Sequence, residues 1–219
     1  MRTTLPSGTP VELARPSNGV PTRGVVVIPD IMGLRPLFDD LADRLANEYG
    51  WAIAAVEPFP GREAMSLEER MTAVAGLDDE RQLSDLVAAA DLLDIEPVGI
   101  LGFCMGGMYT MKAAASGRFD RAAPFYGMIR LPEAWRGPHQ RDAIDLLAES
   151  PGAAARVIAI IGTVDPYTPE GDVDDLEAAG ATVVRYEGAE HGFVHDASRP
   201  SHRAGDAADA WRRVVEFFT

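Results

Sequence analysis

Cys104 is the chain's one cysteine, and it lies in Gly102-Phe-Cys-Met-Gly-Gly107, between the apolar run Pro97-Val-Gly-Ile-Leu-Gly102 and helical sequence from about Met105 to Ala115. A nucleophile at a strand-to-helix corner sits on a tight, crowded turn, so the glycines two residues before and two after it have a steric reason to be there. The helix N-terminus favours a thiolate, the reactive form of cysteine. A cysteine outside such a corner is most often a small inert hydrophobe; the flanking glycines are what argue for reactivity.

A thiol that attacks an acyl carbon needs a base. Of His139, His191, His195 and His202, His191 has the best position: Gly188-Ala-Glu-His-Gly192 directly follows the last expected strand, at the end of the sheet where the cysteine corner also falls. An imidazole acting as base needs a carboxylate to fix its tautomer. Asp165, three residues past the strand Arg156 to Gly162, falls at the same end, with Glu170, Asp172 and Glu190 as alternatives. The oxyanion formed by attack needs amide donors, each worth about 3 kcal/mol. Met105 N–H follows the nucleophile, and the loop Pro29-Asp-Ile-Met-Gly33 offers Ile31 N–H.

These residues need a scaffold that delivers them to one edge. Gly24 to Ile28 and Trp51 to Val56 are continuous apolar runs, as expected of strands buried on both faces of a parallel sheet. Between them, Leu37, Leu41, Leu45 and Tyr49 recur every fourth residue after Pro36, and Gly50 closes a helix. Ser66 and Glu69 form a capping box before helical sequence that continues to Leu93, with a break near Gly76. Further strands are expected at Asp120 to Phe125 and Thr182 to Tyr186, helices at Asp142 to Glu149 and Ala207 to Phe218, and an N-terminal hairpin over Leu5 to Leu13 at the sheet edge. Alternating strands and helices predict a mainly parallel central sheet with helices on both faces, and a ligand outside the carboxyl ends of the strands. At 219 residues this is expected to be a single domain spanning 1–219.

The 34 acidic against 20 basic residues, a formal charge of −14, disfavour nucleic acid and anionic membranes as partners and point to a small molecule. No apolar run approaches the ~20 residues of a membrane span, and the N-terminus lacks a basic-then-apolar signal pattern, so a cytoplasmic location is expected. No phosphate-binding glycine loop and no metal-ligand spacing is present, so neither metal nor cofactor is implied. A monomer and a homodimer remain open.

The order Cys104, Asp165, His191 is that of α/β-hydrolases. From about Val25 onward, through Gly102-Phe-Cys-Met-Gly-Gly107, the Asp165 turn, His191-Gly-Phe193 and the closing Ala207-Ala-Asp-Ala-Trp211 helix, the chain resembles the dienelactone hydrolase family. The resemblance implies an α/β-hydrolase fold, a Cys104–His191–Asp165 triad, an oxyanion hole from Ile31 and Met105, and cofactor-free hydrolysis of an ester or lactone. It also implies a substrate pocket around Asp30, Tyr126, Phe193 and His195. Asp30 stands where dienelactone-cleaving members carry a thiol-activating glutamate. His195 stands where they carry an arginine that holds the substrate carboxylate, and a second such arginine would be Arg70 or Arg81. Two other readings of a single exposed thiol are a redox enzyme and a non-catalytic binding protein on the same scaffold. Substrate choice is expected to reside in the loop Glu57 to Met65 and the insertion Arg130 to Pro151, where Trp135 could form a lid or simply pack.

Overall fold

The computed structural model describes all 219 residues. Eight strands, β1 (Arg2–Thr4), β2 (Pro10–Ala14), β3 (Arg23–Ile28), β4 (Trp51–Val56), β5 (Val98–Phe103), β6 (Ala122–Phe125), β7 (Ile158–Gly162) and β8 (Thr182–Tyr186), form one sheet in the spatial order 1-2-4-3-5-6-7-8. β1 and β2 make the antiparallel hairpin at one edge, and β3 through β8 run parallel. Because the parallel strands point one way, the loops after β3, β5, β6, β7 and β8 share one edge. Those loops hold Asp30, Ile31, Cys104, Tyr126, Asp165, His191, Phe193 and His195, with Met105 directly after the β5 corner, whereas Arg70 and Arg81 follow β4.

Seven helices cover the sheet: α1 (Pro36–Tyr49), α2 (Leu67–Ala73), α3 (Asp79–Leu92), α4 (Met105–Ala114), α5 (Ala143–Glu149), α6 (Glu170–Ala178) and α7 (Ala204–Phe218). Successive side chains of β3 bury into opposite cores, Val25 and Val27 toward α1 and α7, Val26 and Ile28 toward α3, α4, α5 and α6. This two-sided burial explains why its sequence is continuously apolar rather than alternating.

The capping box forms as expected, with Ser66 Oγ accepting from Glu69 N–H and the Glu69 carboxylate accepting from Ser66 N–H. A 3-10 turn at Val74–Gly76 breaks the helical stretch into α2 and α3. The helix α6 has no counterpart in the sequence reading. It is an acidic nine-residue piece that buries only Val173 and Leu176, too few apolar positions to set a helical period.

The insertion between β6 and β7 contains a 3-10 turn at Glu133–Trp135 and the short α5. It is fastened to the body through buried Asp79, which accepts Lys112 Nζ at 2.7 and 2.9 Å and Arg141 N–H at 2.8 Å.

Candidate active site

Cys104 occupies the corner between β5 and α4 at φ 57°, ψ −119°, a conformation that costs a non-glycine residue about 1–3 kcal/mol and needs its surroundings to hold it. Two backbone bonds do so: Cys104 N–H to the Phe125 carbonyl (3.0 Å) and Met108 N–H to the Cys104 carbonyl (3.1 Å). The flanking glycines have the steric role expected. A Cβ at Gly102 would lie 2.4 Å from the Gly106 carbonyl oxygen, and one at Gly106 would lie 2.3 Å from that of Pro29. The corner is therefore pressed directly on the end of β3, where the candidate oxyanion loop begins.

His191 comes from the loop after β8, and its Nδ1 lies 2.7 Å from Asp165 Oδ2. The Asp165 side chain is fully buried, and its other oxygen accepts Tyr167 N–H at 2.9 Å, so the turn after β7 fixes its orientation. Glu170, Asp172 and Glu190 do not take this position. His191 Nε2 is buried with no hydrogen-bond partner, and Tyr167 and Tyr126 hold the ring edge-on at 4.9 and 5.1 Å between centroids. Burial by itself would depress the affinity of His191 for its proton. The Asp165 bond and the adjacent Cys104 side chain overrule it, and the pKa is pushed up to about 9.

Both expected oxyanion donors are free. Ile31 N–H makes no hydrogen bond, and Met105 N–H belongs to the first turn of α4, where a helix offers its amides no internal acceptor. Three side chains brace the Ile31 loop. Asp30 accepts Met32 N–H (3.0 Å), Glu57 accepts Leu34 N–H (2.8 Å), and Arg70 donates to the Ile31 carbonyl (3.2 Å). Sequence reasoning missed the role of Glu57, a carboxylate that is 1 % exposed and also accepts Phe59 N–H at 2.9 Å. A buried glutamate in a strand-ending Glu-Pro pair was its only signal.

The four residues expected to bind substrate do something else. His195 donates or accepts at both ring nitrogens, Nε2 to Asp30 Oδ2 (2.9 Å) and Nδ1 to the Tyr126 hydroxyl (2.5 Å). Asp30 is further gripped by Arg35 at 2.7 and 2.9 Å. With Met32 N–H these contacts use the acceptor capacity of the Asp30 carboxylate, which leaves no lone pair aimed at the thiol. Burial alone would raise the Asp30 pKa, but the His195 and Arg35 bonds hold it well below the usual carboxylate range. Phe193 is buried among Tyr126 and Tyr186. Asp30, Tyr126, Phe193 and His195 thus form a buried support beneath the site and do not line its cavity. Arg70 is also withdrawn from ligand duty, since its guanidinium donates to the carbonyls of Met65, Ile31 and Glu63. Arg81 stands in the first turn of α3, away from the cavity.

The cavity over Cys104 and His191 has a volume of about 730 Å³. Ile31, Leu67, Met71, Met128, Trp135, Val164, Pro166 and Tyr167 form its apolar wall. Trp135 packs, 3 % exposed, as part of this wall. Arg199, also at the cavity, has no side-chain partner; its guanidinium lies across Gly192, beside His191. Nothing in residue spacing could have assembled this wall, because it draws on α2 and on the connections after β3, β6 and β7. No helix is long and apolar enough to cross a membrane.

Known proteins are similar to this chain in sequence and in fold. A carboxymethylenebutenolidase of Rhodococcus opacus is 30 % identical over 216 residues, covering 89 % of this chain and 79 % of its own. A solved Klebsiella pneumoniae protein assigned as a dienelactone hydrolase superposes with a TM-score of 0.83 at 27 % identity, covering 100 % of this chain and 97 % of its own. Est1E of Butyrivibrio proteoclasticus, solved with ferulic acid, superposes at 0.68 with 15 % identity over 100 % of this chain and 97 % of its own, a likeness of fold alone. The dienelactone hydrolase family itself matches residues 10–219, and with that span the α/β-hydrolase sheet and its loops are accounted for from β2 to the last residue: the chain belongs to the dienelactone hydrolase family.

Proposed function

We propose that this protein hydrolyses a small ester or lactone through an acyl-thioester on Cys104, with His191 as base, Asp165 orienting it, and the Ile31 and Met105 amides as the oxyanion hole. The observation that supports this reading best is the unpartnered Nε2 of a carboxylate-held His191 beside a cysteine in a left-handed corner. His191 takes the thiol proton as Sγ bonds to the carbonyl carbon, and the carbonyl electron pair moves to oxygen, where the two amides stabilise it. Collapse of that adduct breaks the bond to the alcohol oxygen, which leaves with the proton from His191. A water molecule, deprotonated by His191, then attacks the thioester and returns the sulfur. These steps need no cofactor. The substrate is a small molecule rather than nucleic acid or a membrane, and the enzyme acts in the cytoplasm as a monomer or homodimer.

The test is hydrolysis of a panel of aryl esters by Cys104→Ala and Cys104→Ser. Cys104→Ala should abolish turnover and Cys104→Ser should lose most of it, both at unchanged melting temperature. Full activity of Cys104→Ala would overturn the mechanism. A redox role would instead give thiol-dependent peroxide consumption with no acyl-enzyme burst.

A further inference from the structure

The cavity's composition bears on the substrate. Eight of its fourteen lining residues are apolar, and three of them, Leu67, Val164 and Tyr167, are 52 %, 54 % and 41 % exposed. They are half of the six large hydrophobic side chains the whole chain leaves exposed. Leaving apolar surface open to water is unfavourable by roughly 25 cal/mol per Å², and such residues gathered at the mouth of a cleft mark a surface that a ligand covers. A volume near 730 Å³ falls within the range of cavities that hold drug-sized ligands, so the room exceeds what a minimal ester needs.

Charge selects further. A substrate carboxylate would need a committed cation, and nearly every arginine near the site is engaged internally. Arg35 grips Asp30, and the Arg70 guanidinium is spent on three carbonyls. His195, standing where dienelactone-cleaving relatives would hold a carboxylate with arginine, has both nitrogens occupied and its side chain fully buried. The remaining cation, Arg199, is solvent-exposed at the rim, where water screens its attraction, and Glu190 lines the same cavity with the opposite charge. The chain's net charge of −14 adds a repulsive field for anions.

From these observations we propose that the substrate is an uncharged ester carrying a bulky aryl or branched alkyl group, which lies against the apolar lining of Leu67, Met71, Trp135, Val164 and Tyr167. The proposal rests on the hydrolase reading above and narrows it to a substrate class that excludes carboxylate-bearing lactones as the preferred ligands.

The experiment compares three 4-nitrophenyl esters on the intact protein: the acetate, a phenylpropionate, and the same phenylpropionate bearing a para-carboxylate. The uncharged phenylpropionate should exceed its carboxylated counterpart by about tenfold or more in kcat/KM, and should exceed the acetate as well. Leu67→Ser and Met71→Gln lie at the rim and on the wall, away from the sheet core. Each should lower the ratio of phenylpropionate to acetate kcat/KM by about five- to tenfold. A preference for the carboxylated ester that Arg199→Ala removes would overturn the proposal and assign an acid-binding role to Arg199. Equal rates for all three esters would overturn it too. Cys104→Ala separates the two levels: if it retains turnover, the hydrolase mechanism has failed, whereas a wrong preference order that still depends on Cys104 sinks the substrate assignment alone.

Discussion

His191 and His195 are four residues apart, each faces an aspartate at 2.7 to 2.9 Å, and they end in opposite electrostatic states. Both are buried enough for desolvation to press against the charged form. At His191 the partner Asp165 and the neighbouring Cys104 prevail, and the pKa rises to about 9. At His195 desolvation prevails over the Asp30 bond, Arg199 and Arg35 add repulsion, and the pKa falls. The decisive difference lies in the second nitrogen. His191 Nε2 faces the thiol with nothing bonded to it, whereas His195 spends Nδ1 on the Tyr126 hydroxyl. The same carboxylate contact stands behind both imidazoles, and only His191 keeps a nitrogen without a hydrogen-bond partner, as the proposed base requires.

Substitutions should separate the two. His191→Ala should lower kcat/KM for an aryl ester by roughly 10³–10⁴-fold with little change in melting temperature, and a loss below tenfold would remove His191 from the chemistry. Asp165→Asn keeps the base but lets its ring and tautomer drift, so a loss of roughly 10²–10³-fold is expected. It should also shift the acidic limb of the rate profile, below which His191 carries its proton and cannot act as the base, downward from about pH 9, because the carboxylate that helps hold the His191 proton is gone.

His195→Ala should reverse this pattern. Leaving the Tyr126 hydroxyl without its partner and removing one of the two contacts to Asp30 Oδ2 should cost about 2 kcal/mol of stability, read by chemical denaturation, while kcat/KM falls within about tenfold through a loosened Ile31 loop. If His195→Ala instead matched His191→Ala in activity at full stability, the contrast would collapse.

The smallest effect is in the pH dependence of stability, where the two signs differ. His191 binds its proton more tightly folded than unfolded, so its contribution is fully present below about pH 6.5 and is lost as the pH rises through about 9. His195 binds its proton less tightly folded, so its contribution is present above about pH 6.5 and is lost as the pH falls below it. Melting curves of the two alanine variants against pH should each lose one of these slopes and keep the other.

Much of the fold was legible because a parallel sheet leaves long apolar runs: β3 and β4 are buried at every residue, and Gly or Pro bounds them. The helix α6 escaped because two buried side chains define no period. In the site, Cys104, Asp165 and His191 could be read from chain order and from their distance past strand ends, which parallel topology converts into a common edge. The family resemblance implies a place at the substrate for Asp30 and His195, and the structure instead bonds them to each other, outside the cavity lining. Position in the chain tells which edge a residue reaches, but not whether its side chain points up into the cavity or down into the support. The wall of Leu67, Met71, Met128 and Trp135 was illegible as a set, since it joins one face of α2 to two places in the long connection between β6 and β7.

The fastening of the 130–151 insertion through Asp79 has an evolutionary corollary. Trp135 reaches the cavity from a segment anchored to α3 and α4 through Asp79, Lys112 and the Arg141 amide, and to α6 through the ion pairs of Arg130 with Asp172 and Asp175. Selection, or a protein engineer, that exchanges this segment to retune the cavity must therefore preserve two sockets, Asp79 with Lys112 and the Asp172–Asp175 pair on α6.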